Sequence, residues 1–201
     1  QSTSTVKVNL KKKEKWITFV GKLNRAKGYD LFGKAVLKIL KKYKDWKAVV
    51  IGDELRDKLY FKHKRLNILG FLNHEKVLKI FEKTSIAVAC SRWDEPLGRT
   101  SLEASSRGCA TIISNKGGLP ETITDGIILK NLTVKSIYKE IRKLILDEKR
   151  RKYLQRLANK NFYLTNKFVS NLIDECRNER LKNINTFHIK KNKKLRILHV
   201  T

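Results

Sequence analysis

The stretch EPLGRTSLE puts two carboxylates, Glu95 and Glu103, on either side of a Pro-Leu-Gly turn in a chain whose net charge is +27. The apolar run IAVACS at 86–91 precedes the turn, and a segment of helical character follows it. Gly98 lacks a Cβ, so a ligand can approach the backbone where that helix begins. The free amides of Leu97, Gly98, Arg99 and Thr100 would point outward with the positive end of the helix dipole behind them, an anion site of the kind that holds phosphates. Lys22 and Lys27, in GKLNRAKG at 21–28, offer two ammonium groups to the same phosphates. Carboxylates instead accept hydrogen bonds from hydroxyls. Glu95 lies before the turn, and Glu103 lies about 7–8 Å along the helix from Gly98. The pair fits a ligand built as hydroxyl-bearing group, phosphate, hydroxyl-bearing group, which is the shape of a nucleotide sugar.

Each residue also has an ordinary explanation. Glu103 is placed where a helix dipole favours any acid. Glu95 before Pro96 is acceptable as a solvated loop residue, Lys22 and Lys27 are two among 33 lysines, and Gly21 and Gly52 are acceptable as turns at strand ends. Only the joint spacing lifts the functional reading above these.

The elements that must position these residues are legible as short apolar runs: WITFVGKL at 16–23, AVVIGD at 48–53, LNILGFL at 66–72, IAVACS at 86–91, ATIIS at 110–114 and GIILK at 126–130. They do not alternate polar with apolar, as expected of strands buried on both faces of a parallel sheet. Between them, Leu31, Phe32, Ala35, Val36, Ile39, Leu40 and Tyr43 form an amphipathic helical stripe. Asn73 is placed to cap a second helix through Val77, Leu78 and Phe81, and 133–149 repeats the pattern. Strand and helix alternating throughout predict an α/β fold, a doubly wound, Rossmann-like parallel sheet with helices on both faces. In such a sheet ligands bind at the carboxyl ends of the strands, where the loops at 21–28, 52–57 and 92–98 would meet.

Residues 1–15 are polar and lysine-rich and read as a linker with at most a short strand at 6–10. The fold is expected over 16–185, ending in a long helical region from 150. Residues 186–201 read as a linker leading into LRILHV, the first strand of a following domain. The start at Gln and the lack of any Met suggest a piece of a longer chain.

Composition narrows the classes further. Cys90, Cys109 and Cys176 are odd in number, lack CxxC spacing and read as buried thiols in a reducing compartment. The four histidines are scattered, so no metal site is expected. The 33 Lys and 13 Arg run along the whole chain, and Trp16, Trp46 and Trp93 form no stacking series, so nucleic acid is disfavoured as a partner. Attraction to an anionic membrane is a secondary possibility.

The residues now described resemble the C-terminal, donor-binding domain of GT-B fold glycosyltransferases of family 4. The hallmark is the pair of glutamates separated by seven residues, with FVGKLNRAKG, VVIGD, ILGFL, SLEASSRGCATIIS and GGLPETITDG around it in the family's order. The resemblance implies half of a GT-B fold. It implies Lys22 and Lys27 on the donor diphosphate, and Leu97, Gly98, Arg99 and Thr100 at the helix N-terminus under the phosphates. Glu103 would meet the ribose hydroxyls, and Glu95, the candidate catalytic residue, the transferred sugar. Gly21 would belong to the donor site, and Gly52 and the turn at Gly70, Phe71 and Leu72 would line the base. The resemblance also implies retained anomeric configuration, no metal and no cofactor, with UDP or GDP sugars as donors. The acceptor, a glycan or a lipid-linked glycan, would bind a domain outside this chain, in the cytoplasm or at the inner face of the membrane. Two positions depart from the pattern: Leu97 stands where Phe is common, and Lys22 where Arg is common. A sugar-nucleotide epimerase of the same fold and a non-catalytic, basic nucleic-acid-binding domain are the alternatives.

Overall fold

A computed structural model describes residues 3–4, 6–56 and 59–183. All six expected strands form: β1 (Glu14–Val20), β2 (Lys47–Ile51), β3 (Leu66–Ile68), β4 (Thr84–Ala89), β5 (Ala110–Ser114) and β6 (Gly126–Leu129). Every pairing is parallel, in the order β3-β2-β1-β4-β5-β6. That order is the doubly wound, Rossmann-like arrangement, with its switch point between β1 and β4. The helices are α1 (Tyr29–Lys42), α2 (His74–Lys83), α3 (Arg99–Ser106), α4 (Val134–Leu146), α5 (Glu148–Lys160) and α6 (Asn166–Asn183). Among the described residues, no helix is long and apolar enough to cross a membrane.

The continuous apolar runs are explained by two cores, one on each face of the sheet. Ile17, Phe19, Ala48, Val50, Ile86, Val88 and Ile112 pack with α1 and α4. The intervening Val49, Ile51 and Ala87 pack with Val77 and Phe81 of α2 and Ala104 of α3. Successive strand residues point to opposite faces, so burial on both faces removes the polar alternation. As expected, the Asn73 side chain caps α2, accepting from the Lys76 amide at 3.1 Å.

Four features differ from the sequence expectation. No helix among the described residues joins β2 to β3. Instead Phe61, from that connection, stands edge-on to Tyr29 at 5.4 Å between ring centroids and lies over Gly33, where a Cβ would come within 2.2 Å of its ring. An aromatic side chain thus fills space that a crossover helix would cover. The stretch at 133–149 is two elements, because Asp147 ends α4 and caps α5, accepting from the Arg150 amide at 2.8 Å. The helical region beyond 150 is broken after Lys160, and α6 starts at Asn166. Finally, the described part of 1–15 is docked rather than a free linker, and it forms a 3-10 turn (Leu10–Lys12) in place of a strand at 6–10. The Arg107 guanidinium donates to Ser4, Asn159 Nδ2 donates to the Val6 carbonyl at 3.1 Å, and Lys13 Nζ donates to the carbonyls of Phe81 and Arg107 at 2.9 and 2.7 Å. These bonds tie the segment to a buried guanidinium and to carbonyls at the ends of α2 and α3. The strand expected in 186–201 lies outside the described residues.

Candidate functional site

The switch point between β1 and β4 is where the sequence places its chemistry. The loop after β1 (21–28) and the loop after β4 (90–98) are fastened to each other at the main-chain carbonyls of Ala26 and Gly28. The Arg92 amide donates to the Ala26 carbonyl at 2.8 Å, Ser91 Oγ to the same carbonyl at 3.2 Å, and Cys90 Sγ to the Gly28 carbonyl at 3.3 Å. Burial pushes the Cys90 thiol up to about 12, so it stays protonated and able to donate. Cys109 is likewise buried, but Cys176 is exposed on α6, against the expectation of three buried thiols.

Side chains reinforce the same junction. Arg92 Nη1 and Nη2 grip Asp30 Oδ1 and Oδ2 at 2.6 and 2.8 Å, a fork-on-fork pair. This bond with Arg92 holds the Asp30 carboxyl below the ordinary carboxylate range. Asp30 binds fewer protons folded than unfolded, so its stabilisation is present above its unfolded pKa and fades as pH falls through the folded one. Asp30→Asn is expected to cost about 1 kcal/mol at pH 7, reduced from the buried-pair scale because Arg92 is partly exposed. The difference in urea midpoint between variant and wild type should close as pH falls below about 4. A gap that stays constant down to acid would mean that the carboxylate charge plays no part.

A cleft of about 220 Å³ opens over this junction, lined among others by Gly21, Lys27, Cys90, Glu95, Gly98, Arg99, Thr100 and Leu119. Gly98 is the N-cap of α3, with φ 86° and no side-chain cap hydrogen bond, so the amides of the first turn are left for a ligand. A Cβ on Gly98 would stand 2.4 Å from Leu119 Cδ2. The glycine therefore serves the left-handed turn and its packing against Leu119. Glu95 is seated from below: the Gly118 amide donates to its carbonyl at 2.7 Å, and a Cβ on Gly117 would come within 2.3 Å of that oxygen. Glu95 and Lys27 meet directly, Nζ to Oε1 at 2.5 Å, with the Glu95 side chain only 13% exposed.

Glu103 is buried one helical turn beyond Arg99. Its Oε1 accepts from Arg99 Nε at 2.7 Å and contacts His74 Nε2 at 2.9 Å. Glu103 falls outside the cleft lining, and so do Lys22, Gly52, Phe71 and Leu97. Lys22 is exposed on the first loop and Phe71 is 78% exposed on the turn after β3. Leu97 is half-buried beside the cap. Gly52 is occupied by the fold, since its amide donates to the Gly70 carbonyl at 2.8 Å and a Cβ would reach within 1.9 Å of the Gly21 carbonyl oxygen. Sequence reasoning missed His74, Asp30, Arg92 and the Asn24–Glu54 bond of 2.9 Å that ties the first two loops. Trp46 is buried and Trp93 is 63% exposed.

Comparison with known proteins bears on this arrangement. The profile of one family, described as glycosyl transferases group 1, matches residues 1–161. Spore coat protein SA of Bacillus subtilis is 30% identical over 174 residues, covering 74% of this chain and 45% of that one. An uncharacterised glycosyltransferase of Methanocaldococcus jannaschii is 32% identical over 161 residues, covering 75% and 40%. The chain thus spans less than half the length of these curated relatives. Among solved structures, the C-terminal domain of the group 1 glycosyl transferase LpcC from Francisella tularensis superposes with a TM-score of 0.65 at 27% identity, covering 74% of this chain and 84% of that one. Anabaena HepE, solved with UDP and glucose, superposes at 0.67 with 16% identity, covering 85% and 49%, a likeness of fold.

Proposed function

The chain belongs to the group 1 glycosyl transferases, and from that membership we propose that it is a donor-binding domain that holds a nucleotide diphosphate sugar for transfer to an acceptor. One observation carries the reading: Lys27, Glu95 and the open first turn of α3 share a single cleft at the switch point of the sheet. The cation and the amides suit the diphosphate, and Glu95 beside them suits a sugar hydroxyl, because a carboxylate facing phosphate would repel it. As the glycosidic bond breaks, negative charge grows on the leaving diphosphate, and Lys27 with the α3 amides is placed to stabilise it. The cleft of about 220 Å³ falls below the roughly 300–1,000 Å³ of whole-ligand sites, so it suits the diphosphate and sugar end of the donor. The nucleoside would then extend toward Arg99 and Glu103 on one side and the exposed Phe71 turn beyond.

The finer reading is a retaining, metal-independent transferase of the family 4 type that works in the cytoplasm and accepts a glycan or lipid-linked glycan on a separate domain. Alone, this domain should bind donor and turn over little. Calorimetric titration with UDP, GDP and ADP, their glucose conjugates and the bare nucleosides tests the proposal. One diphosphate and its conjugate should bind at least about tenfold more tightly than the nucleoside, the scale of one charge-assisted hydrogen bond. Binding that is indifferent to the phosphates, or absent for all three series, would overturn it.

A further inference from the structure

We propose that His74 is the positioning residue that fixes Glu103 for the ribose of the donor, an inference that rests on the donor-binding reading above. His74 is the first residue of α2, on an element fixed by its Asn73 cap and by Val77 and Phe81 in the core. From there it crosses to α3 and meets Glu103 Oε1 at 2.9 Å. A carboxylate oxygen only accepts, so this contact requires the proton on Nε2. The approach of Arg99 Nη2 to the same nitrogen, at 3.4 Å, is then two donors side by side and not a hydrogen bond. Arg99 Nη2 is left to act elsewhere.

The two donors to Glu103 differ in what a ligand does to them. Arg99 lines the cleft, its side chain is 61% exposed, and it sits at the mouth of the anion site formed by the α3 amides. A diphosphate seated there competes with Glu103 for that guanidinium. His74 lies outside the cleft lining and faces no such competitor. When Arg99 turns to phosphate, His74 remains as the donor that compensates a buried carboxylate and stops its rotation. Among the described residues both contacts fall on Oε1, which leaves Oε2 for a hydroxyl. The ligand class this selects is a nucleotide whose sugar carries a vicinal diol.

The test uses whichever of UDP, GDP and ADP binds most tightly, its 2′,3′-dideoxy counterpart, and inorganic pyrophosphate. His74→Ala should weaken the ribonucleotide by about 5- to 20-fold, the scale of one hydrogen bond to a charged group. It should leave the dideoxy compound and pyrophosphate within about twofold. His74→Gln, whose amide N–H can reach the same oxygen, should restore most of the loss. On a Glu103→Gln background, His74→Ala should add almost nothing, as coupled residues do. Equal losses for all three ligands, no rescue by Gln, or additivity with Glu103 would overturn the inference and leave the donor site intact. A Glu103→Gln variant that still discriminates ribose from dideoxyribose as the wild type does would overturn the ribose assignment itself.

Discussion

Gly28→Ala is expected to lower stability by about 3–5 kcal/mol, a large part of what a domain of this size has. Gly28 caps α1 in the left-handed region, φ 74°, ψ 18°. An L-residue there costs roughly 1–2 kcal/mol for conformation alone. The larger part comes from the neighbour, because a Cβ would stand 1.9 Å from the Cys90 carbonyl oxygen and 2.8 Å from its carbon. These are main-chain atoms at the end of β4 and cannot rotate away. The two loops would have to part, breaking the bonds of Ser91 and Arg92 to Ala26 and moving Lys27 off Glu95. Gly70→Ala is the control. Its φ is 68°, yet nothing lies within 4 Å of its Cβ position, so only the conformational cost applies, about 1 kcal/mol. Urea unfolding of both variants decides the matter. Equal midpoints would mean that the closeness of the two loops does not determine stability.

The same junction shows what the sequence reveals and what it hides. The strands are legible because burial on both faces leaves uninterrupted apolar runs such as AVVI, and α1 and α2 are legible as stripes. The rule that ligands bind at strand carboxyl ends then brings Gly21, Lys27, Glu95 and Gly98 together, as the cleft lining shows. Residue type gave each of these a chemistry, and the fold gave them proximity. What stays hidden is pairing between residues far apart in the chain. Lys27 and Glu95 are 68 apart, Arg92 and Asp30 62 apart, and His74 and Glu103 29 apart. No local pattern announces such contacts, since they depend on which loops the sheet order makes neighbours. The segment between β2 and β3 misleads for a related reason: Phe61 packs against Tyr29 and Leu59 against the same core, without helical periodicity. The docking of Ser4, Val6 and Lys13 rests on main-chain carbonyls meeting Lys13, Arg107 and Asn159, and a lysine-rich sequence carries no sign of that. Position along an element was easier to read than partner.

The Lys27–Glu95 pair sharpens what substitution there should do. The two neutralise each other across 2.5 Å. A donor would draw the ammonium onto its diphosphate and offer Glu95 a sugar hydroxyl instead. Glu95→Gln keeps the size and removes the charge that competes for Lys27. Bare nucleoside diphosphate should therefore bind as before or up to about tenfold more tightly. The sugar conjugate should lose the carboxylate–hydroxyl bond, about 1.5–3 kcal/mol, so its advantage over the bare diphosphate falls by roughly 10- to 150-fold. Lys27→Ala should act the other way. It removes a phosphate contact and leaves a mostly buried carboxylate facing the diphosphate, so both ligands should weaken by about 1–3 kcal/mol. Adding Glu95→Gln to Lys27→Ala should then recover part of the affinity for the bare diphosphate, because the repulsion is gone. Titrating the three variants with one diphosphate and its sugar conjugate reads all of these outcomes. If Glu95→Gln weakened both ligands equally, or if the double variant bound the diphosphate no better than Lys27→Ala, Glu95 would not be the sugar-facing member of the pair. The assignment of opposite ends of EPLGRTSLE to opposite ends of one donor would then fail.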